Sequence, residues 1–440
     1  MSDGGALPEA SLADSLRVVR TGLLPALARG LFRPRPAAMK LLTARNADAR
    51  TVKALSEVRR KHPGQGARLL GGRIVVLWGH DAIKEVLDQS ADTYASDSGA
   101  KGKGMSHFQP DALTLSRGEE WRDRRAFNES VLASSERVHP LAEQFLSAVA
   151  DEVRVLALEG ELEWSGFEEL FDHITLRVIF GEGSRDDREL TERLAKLMSE
   201  ANRLVGLDEN DDYYELYGAL ERKLRDPEPG SLLSRFPDAP QSDRTRVVHQ
   251  IPHMMFAMRD TLGANAYRAL AVITADPDVR ERVHQELEGA DLMDPQAVDG
   301  LRYLEGVFQE VMRLWPTVPL LARETTRETT LTGERIDEGT QVMMINAFNH
   351  RDSEQVPDAD RLNPDRWSNG ARDYRFNHLS NGSQDCPGGA LVLMLGKAVL
   401  AHMVSAYDLE LEEPDLPAGG ELPHMLDFFS IRFRAEPRGG

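Results

Sequence analysis

The run Gly382-Ser383-Gln384-Asp385-Cys386-Pro387-Gly388-Gly389 is a glycine-bracketed loop that opens directly onto the apolar helical stretch from Ala390 to Tyr407. Cys386 is the only cysteine, which excludes an internal disulfide and a multi-cysteine zinc site. Its chemical value is then that of a thiolate. Gly382, Gly388 and Gly389 let the backbone approach an atom closely and turn amide N–H groups toward the sulfur. The helix N-terminus that follows adds positive dipole charge. Both effects are expected to favour the ionised form. The plain alternative is a buried, inert cysteine.

Two groups of residues upstream weigh on that choice. Glu310 and Arg313 stand at i and i+3 in the helical stretch Leu301 to Trp315, where they share a face and can pair. Glu57/Arg60 and Glu119/Arg122 show the same spacing, so the pair means little alone. Followed by Asn363-Pro364-Asp365-Arg366-Trp367, it can supply a buried cluster of Glu310, Arg313 and Arg366 that braces the cysteine loop. Asp260 and Thr261 lie within a long helical pattern, about Asp243 to Thr274, with no proline between Pro252 and Pro277. Both are mediocre helix formers, and the plain reading is a threonine bonded back to its own helix with Asp260 solvated.

In order along the chain, Trp121-x-x-x-Arg125, Ala257-x-x-Asp260-Thr261, Glu310-x-x-Arg313, Asn363-Pro364-Asp365-Arg366 and Gly382-x-x-x-Cys386-x-Gly388 resemble the haem-thiolate monooxygenases, the cytochromes P-450, of soluble bacterial type. The likeness runs from about Arg68 to the C-terminus, with Glu310 lying 76 residues before the cysteine. It implies a mainly α fold with a small β region, with haem b (iron protoporphyrin IX) between the long central helix and the cysteine-loop helix. Cys386 would be the axial ligand of the iron. Arg125 would pair with a haem propionate while the Trp121 indole donates to the same group; a core Trp and a surface Arg are the alternative. Ala257, Arg323, Gln384 and Gly388 complete the expected cofactor contacts. Asp260 and Thr261 would relay protons to the oxygen being activated. Met105, Phe108, Met254, Ala257, Met258, Thr317, Val318, Leu320 and Phe428 form the expected apolar pocket, with Met254, Met258 and Thr261 on one helix face.

Three departures stand out against the family pattern. Leu379 stands where the family has Phe, Gln384 replaces Arg or His, and Met258 takes the place of Gly beside the oxygen groove. They point to an altered redox poise or a specialised reaction. The acid-alcohol pair favours monooxygenation of a small apolar metabolite, of secondary metabolism, with electrons from a separate ferredoxin and ferredoxin reductase, because no Gly-x-Gly-x-x-Gly fingerprint for a flavin or nicotinamide is present. A peroxide-driven or non-oxygenating haem-thiolate enzyme and a non-catalytic haem-binding scaffold are the other readings.

At 440 residues the chain exceeds a typical domain, yet no linker, repeat or composition break divides it. The expected organisation is an N-terminal extension with the first helices, 1–65, and a single catalytic domain, 66–440. A formal charge of −19 excludes a general nucleic-acid binder, which needs a basic face. One cysteine and no secretory signal suggest the cytoplasm. No membrane span is expected, because the Leu-rich patch Gly22 to Ala28 is too short and contains Pro25. Residues 1–45 carry seven Lys/Arg against three Asp/Glu, so a weak peripheral membrane contact stays open beside an amphipathic helix packed on the core.

Local patterns complete the expectations. Hairpins are expected over Arg68 to Trp78, turning at Gly71-Gly72, and over Thr330 to Asn346, turning at Asp337-Glu338-Gly339. Asp81 is a candidate N-cap, Ser96 to Ser106 a mobile loop, and Gly118 to Leu132 a helix. Further helices are expected at Phe167 to Phe180, Asp187 to Leu204 and Asp212 to Leu224, and strand and turn over Pro423 to Arg434.

Overall fold

The computed structural model describes residues 7–97, 99–156, 160–368, 370 and 373–438. Residues 1–6 of the expected extension and Ser98 of the expected mobile loop lie outside the described residues.

A mainly apolar stretch from Ile251 to Ala275, broken by no proline after Pro252, builds the central helix, with Pro252 in its first turn, where a missing N–H costs nothing. It ends where Asp276 caps the next helix by accepting from the N–H groups of Asp278 and Val279. The helix begins at Ile251 rather than near Asp243, because 243–250 form a turn and a short 3-10 segment in which Arg246 has φ 50°. Its middle, Ala257–Leu262, is π-helical. Beyond it every residue from Gly263 to Thr274 is buried, as expected for a helix apolar on all sides.

The cysteine helix, Gly389–Ala406, crosses the same core. By length and composition it is apolar enough to span a membrane, but it is mostly buried inside the molecule. Gly396 lets it approach the helix Arg302–Leu314: a Cβ there would meet the Phe308 ring at 2.4 Å. Helices Ala142–Val155 and Trp164–Phe180 pack alongside, and together these elements enclose the largest apolar cluster.

The strands are, in chain order, β1 (Gly66–Leu69), β2 (Ile74–Leu77), β3 (Tyr94–Ala95), β4 (Gly160–Glu163), β5 (Leu320–Thr325), β6 (Thr329–Leu331), β7 (Glu334–Ile336), β8 (Gln341–Ile345), β9 (Tyr407–Glu413) and β10 (Arg432–Pro437). They form a sheet of order β1-β2-β8-β5-β3, a sheet of order β4-β10-β9, and the pair β6-β7. The β1-β2 hairpin turns at Gly71 and Gly72, whose φ angles of 69° and 79° suit glycine. The second hairpin differs from expectation: β6 pairs β7 across Thr332-Gly333, while β8 leaves to pair β2 and β5. Joining the larger sheet buries Val342 and Met344, which a local hairpin would leave wet.

Smaller corrections have local causes. Gly79, not Asp81, precedes the helix His80–Asp88, and Asp81 sits in its first turn. Gly99–Met105 is a short helix rather than a loop, and it buries Gly104 and Met105. The remaining helices run Gly118–Val131, Arg188–Ala201 and Asp211–Arg225.

The N-terminal segment is stitched onto the sheet. Leu7 N–H donates to Glu334 Oε1 at 2.7 Å and Ala10 N–H to the Arg68 carbonyl at 2.8 Å. Its helical part is only partly packed: Leu12, Leu16, Leu24, Leu27, Leu31 and Leu41 are all exposed.

Candidate active site

The cysteine loop is held from three sides. Cys386 N–H donates to the Leu379 carbonyl at 2.9 Å, and Gly389 N–H donates to the Cys386 carbonyl at 3.2 Å. Gly382 has φ 69°, and a Cβ there would sit 2.3 Å from the Leu87 carbonyl carbon and oxygen, so only glycine fits. At Gly388 and Gly389 a Cβ would meet nothing nearer than Leu132 at 3.7 Å and Leu379 at 3.8 Å, so protein packing does not demand glycine there. Ser383 Oγ donates to the Ser90 carbonyl at 2.9 Å, fastening the loop to the end of the helix His80–Asp88.

Arg125 forms the third tie. Its guanidinium donates to the Asp385 carbonyl at 2.6 Å and Oδ1 at 2.5 Å, and to Glu129 Oε1 at 2.6 Å. The residue expected to face a propionate therefore spends its charge here on two carboxylates and on the loop itself. Trp121, one turn earlier, is half-buried.

Glu310, Arg313 and Arg366 come together as expected. Arg313 grips Glu310 through Nε at 2.7 Å and Nη2 at 2.8 Å, both residues fully buried, and Arg366 Nε reaches Glu310 Oε1 at 3.2 Å. Trp367 Nε1 at 3.0 Å and the Asn363 N–H at 2.8 Å complete the carboxylate's donors. Trp367 and His350 join the cluster without any local motif to mark their roles. His350 Nδ1 lies 3.0 Å from the Arg313 carbonyl, and its Nε2 accepts from Asn377 N–H at 2.8 Å. Asn377 Oδ1 then accepts from Asn381 Nδ2 at 2.8 Å, one residue before Gly382. The cluster thus reaches the cysteine loop through hydrogen bonds. No short motif announces this, because His350 gains its role only when 346–350 folds back on the helix Arg302–Leu314.

On the central helix, His253, Phe256, Ala257, Asp260 and Thr261 are half-buried while their neighbours are buried. This stripe and the half-buried loop 382–390 belong to two helices that touch, and they mark the face on which a cofactor would sit. Asp260 is clamped by Arg259, whose Nη2 lies 2.9 Å from both carboxylate oxygens, and Arg259 Nη1 donates to the Thr191 carbonyl at 2.8 Å.

The expected pocket needs correction. Met254 and Met258 are 4% and 5% exposed and belong to the core, so they do not share the Thr261 face. The π-helical turn holds more residues than an α turn, and a count of 3.6 back from Thr261 loses phase there. His253 and Phe256 take the expected places of the two methionines. Phe428 lies inside the core against Trp164, with ring centroids 4.5 Å apart, and Met105 and Phe108 are also buried. Phe108 nevertheless meets Phe256 edge to face at 6.0 Å, behind the stripe. Thr317 and Leu320 are half-buried and Val318 is 45% exposed, so this strip stays accessible.

Electrostatics test whether a porphyrin fits. Burial pushes the Cys386 thiol up, against a Gly388 N–H bond to the sulfur that lowers it. Dehydration and the Asp385 charge work against the thiolate, while the Gly388 amide and Arg125 favour it. Arg323, 4% exposed, bonds Ser90 Oγ at 2.9 Å and no carboxylate, and burial pushes it down to about 10. Gln384 Oε1 is buried with no hydrogen-bond partner. A single thiol, an unpartnered buried amide oxygen at Gln384, and a buried guanidinium hydrogen-bonded to a hydroxyl fit an iron porphyrin carrying carboxylates. Among the described residues no three His, Cys, Asp or Glu side chains converge on one metal position.

A haem-thiolate protein is the class this geometry defines. The comparisons agree: the sequence profile of the family described as "Cytochrome P450" matches residues 230–422. "Cytochrome P450 monooxygenase sphH" of Aspergillus fumigatus is 29% identical over 248 residues, covering 51% of this chain and 46% of that protein. "Probable cytochrome P450 4d20" of Drosophila melanogaster is 29% identical over 207 residues, 45% of this chain and 39% of that protein. Human "Cytochrome P450 4V2" is 29% identical over 170 residues, 37% and 32% of the two chains. The chain spans less than half the length of these relatives. Over these residues the chain is similar to the cytochromes P450.

Proposed function

We propose that the chain is a cytoplasmic haem-dependent monooxygenase that inserts one oxygen atom from O2 into an apolar small molecule, using electrons from a separate ferredoxin and ferredoxin reductase. The observation that carries this reading is the Asp260-Thr261 pair, set on a π-helical turn and on the accessible stripe beside the Cys386 loop. When bound, haem supplies the oxygen activation, aided by an electron-rich thiolate. Cys386 holds the iron, and the Gly388 N–H tempers the sulfur. Thr261 lies on the half-buried stripe, where its hydroxyl would serve as donor and acceptor to the bound oxygen. Asp260 stands next to it with its carboxylate fixed by Arg259.

Protons reach Asp260 from outside through neighbouring acids. Asp172 lies 3.7 Å from Arg259, and Glu168 meets the half-exposed Arg33 at 3.5 Å. Burial pushes both carboxyls up from their ordinary range, against the opposing charge of Arg259.

Product formed with ferredoxin, reductase and oxygen supports this reading. Product only with peroxide replaces it with the peroxide-driven one, and haem-loaded protein inert under both conditions over a broad ligand screen leaves the scaffold. Thr261→Ala is expected to keep haem but lower product per electron consumed by roughly one to two orders of magnitude, with peroxide accounting for the difference. Unchanged coupling removes Thr261 from the relay.

Peripheral membrane contact through the N-terminus is part of the proposal. The exposed leucines of 12–41 share their segment with Arg17, Arg20 and Lys40, and Val205, 67% exposed, lies close by, because Arg35 donates to the Asn202 carbonyl at 3.0 Å. Apolar side chains with a basic rim suit an anionic bilayer surface. In vesicle flotation, Leu24→Ser with Leu27→Ser is expected to weaken binding to anionic vesicles about tenfold or more. Equal flotation of the variant and the parent protein refutes the contact.

A further inference from the structure

The helix Gly118–Val131 and the corner that follows it hold the backbone on both sides of Cys386. Before the cysteine, Arg125 donates to the Asp385 carbonyl at 2.6 Å. After it, Ser134 Oγ donates to the Pro387 carbonyl at 2.5 Å. The second contact reaches further, because the Pro387 carbonyl and the Gly388 N–H belong to one planar peptide unit, and that N–H bonds the sulfur. A donor on the oxygen of a peptide draws charge from its nitrogen and makes the N–H a stronger donor in turn. Ser383, which also ties the loop down, donates to the Ser90 carbonyl outside it and has no such path to the sulfur.

The corner is built to keep Ser134 at that carbonyl. Ala133 takes φ 49°, a left-handed turn that ends the helix, and Ser134 N–H then donates to the Glu129 carbonyl at 3.0 Å. Arg235 takes up the last helix carbonyls, Ser130 at 3.0 Å and Val131 at 3.1 Å. Leu132 Cδ1 lies 3.7 Å from where a Cβ on Gly388 would stand, so corner and cysteine loop meet directly. Ser134 is half-buried there, whereas Ser135, Glu136 and Arg137 are exposed. We propose that Ser134 is a positioning residue that sets how much charge the Cys386 sulfur gives to iron, acting through the peptide unit of Pro387 and Gly388. The proposal rests on Cys386 being the haem ligand. With the hydroxyl in place the sulfur is the poorer donor and the reduction potential of the iron is higher; without it the oxidised iron gains.

The test uses the haem-loaded full chain with Ser134→Thr and Ser134→Val, which match in shape and differ by one hydroxyl, and with Ser134→Ala. Reduction potential, the carbon-monoxide stretching frequency of the reduced protein and haem retention are measured, and none of these needs turnover. A neighbour strengthens a hydrogen bond by roughly 10–30%, which for a bond to a charged sulfur changes the reduction equilibrium roughly two- to fivefold, about 20–40 mV for one electron. Ser134→Val and Ser134→Ala are expected to lower the potential by this amount. They also lower the stretching frequency, because a richer sulfur pushes more charge through iron into the bound diatomic. Ser134→Thr matches the parent protein on both measures. Should valine prevent folding, Ser134→Ala carries the same comparison against threonine. Equal potentials and frequencies with and without the hydroxyl overturn the proposal, and haem loss in that case assigns Ser134 to fastening the loop alone. A parent protein whose carbon-monoxide complex lacks the thiolate band overturns the haem-ligand reading and the proposal with it. A parent with that band and indifferent variants overturns the proposal alone.

Discussion

Glu310→Ala destabilises the fold by about 3–5 kcal/mol, the cost of leaving buried cationic partners uncompensated. The carboxylate accepts from Arg313 Nε and Nη2, Arg366 Nε, Trp367 Nε1 and the Asn363 N–H, and both it and Arg313 are fully buried. Removing it orphans all of these donors at once. Domains are stable by only about 5–15 kcal/mol, so the loss takes a large share of the total. Because Arg313 also carries the carbonyls of His350, Ala359 and Arg361, the damage spreads to the segment before the cysteine loop. Urea unfolding of Glu310→Ala and Glu310→Gln, with haem content measured in parallel, checks this. The amide keeps its size and one acceptor and is expected to fall between the parent and the alanine variant. A loss below about 1 kcal/mol for alanine, the worth of one ordinary hydrogen bond, shows that the cluster is not the brace.

Cys386→Ser has the opposite profile: the fold is retained and function is lost. The backbone bonds from Cys386 N–H to Leu379 and from Gly389 N–H to Cys386 do not involve the sulfur, so unfolding midpoints are expected to stay within about 0.5 kcal/mol. Turnover falls to background and the thiolate form of the carbon-monoxide spectrum disappears, because a hydroxyl does not ionise where burial already pushes the thiol up. That upward shift has a second consequence. At neutral pH the sulfur is protonated until iron arrives, so haem uptake by the parent protein releases one proton that the serine variant does not. Indicator-dye measurements of proton release in weak buffer follow this directly. Equal release from both proteins contradicts the sulfur–iron bond.

The family, the helices and the chemical cast were legible in the sequence, because local rules govern them. Apolar run lengths and proline positions located the cysteine helix and most of the central one. The i, i+3 spacing with Asn363 to Arg366 behind it foretold the Glu310 cluster. Other features were illegible because distant partners decide them. β8 reads as the return strand of a local hairpin and instead joins β2 and β5, since only the larger sheet buries Val342 and Met344. Met254 and Met258 read as pocket wall until the π-helical turn shifts the phase and carries them into the core.

The order of residues by itself determined that this chain carries one thiol, an acid-alcohol pair within its central helix and an acid-arginine cluster, in the spacing of a haem-thiolate protein. Only the tertiary structure decided how their charges are spent. It couples Arg125 to Asp385 and Glu129, runs the Glu310 cluster through His350 to the cysteine loop, and buries Arg323 against the Ser90 hydroxyl. The reason is physical: ionisation and pairing depend on dehydration and on which side chains meet across the core, and neither quantity is local to any stretch of sequence.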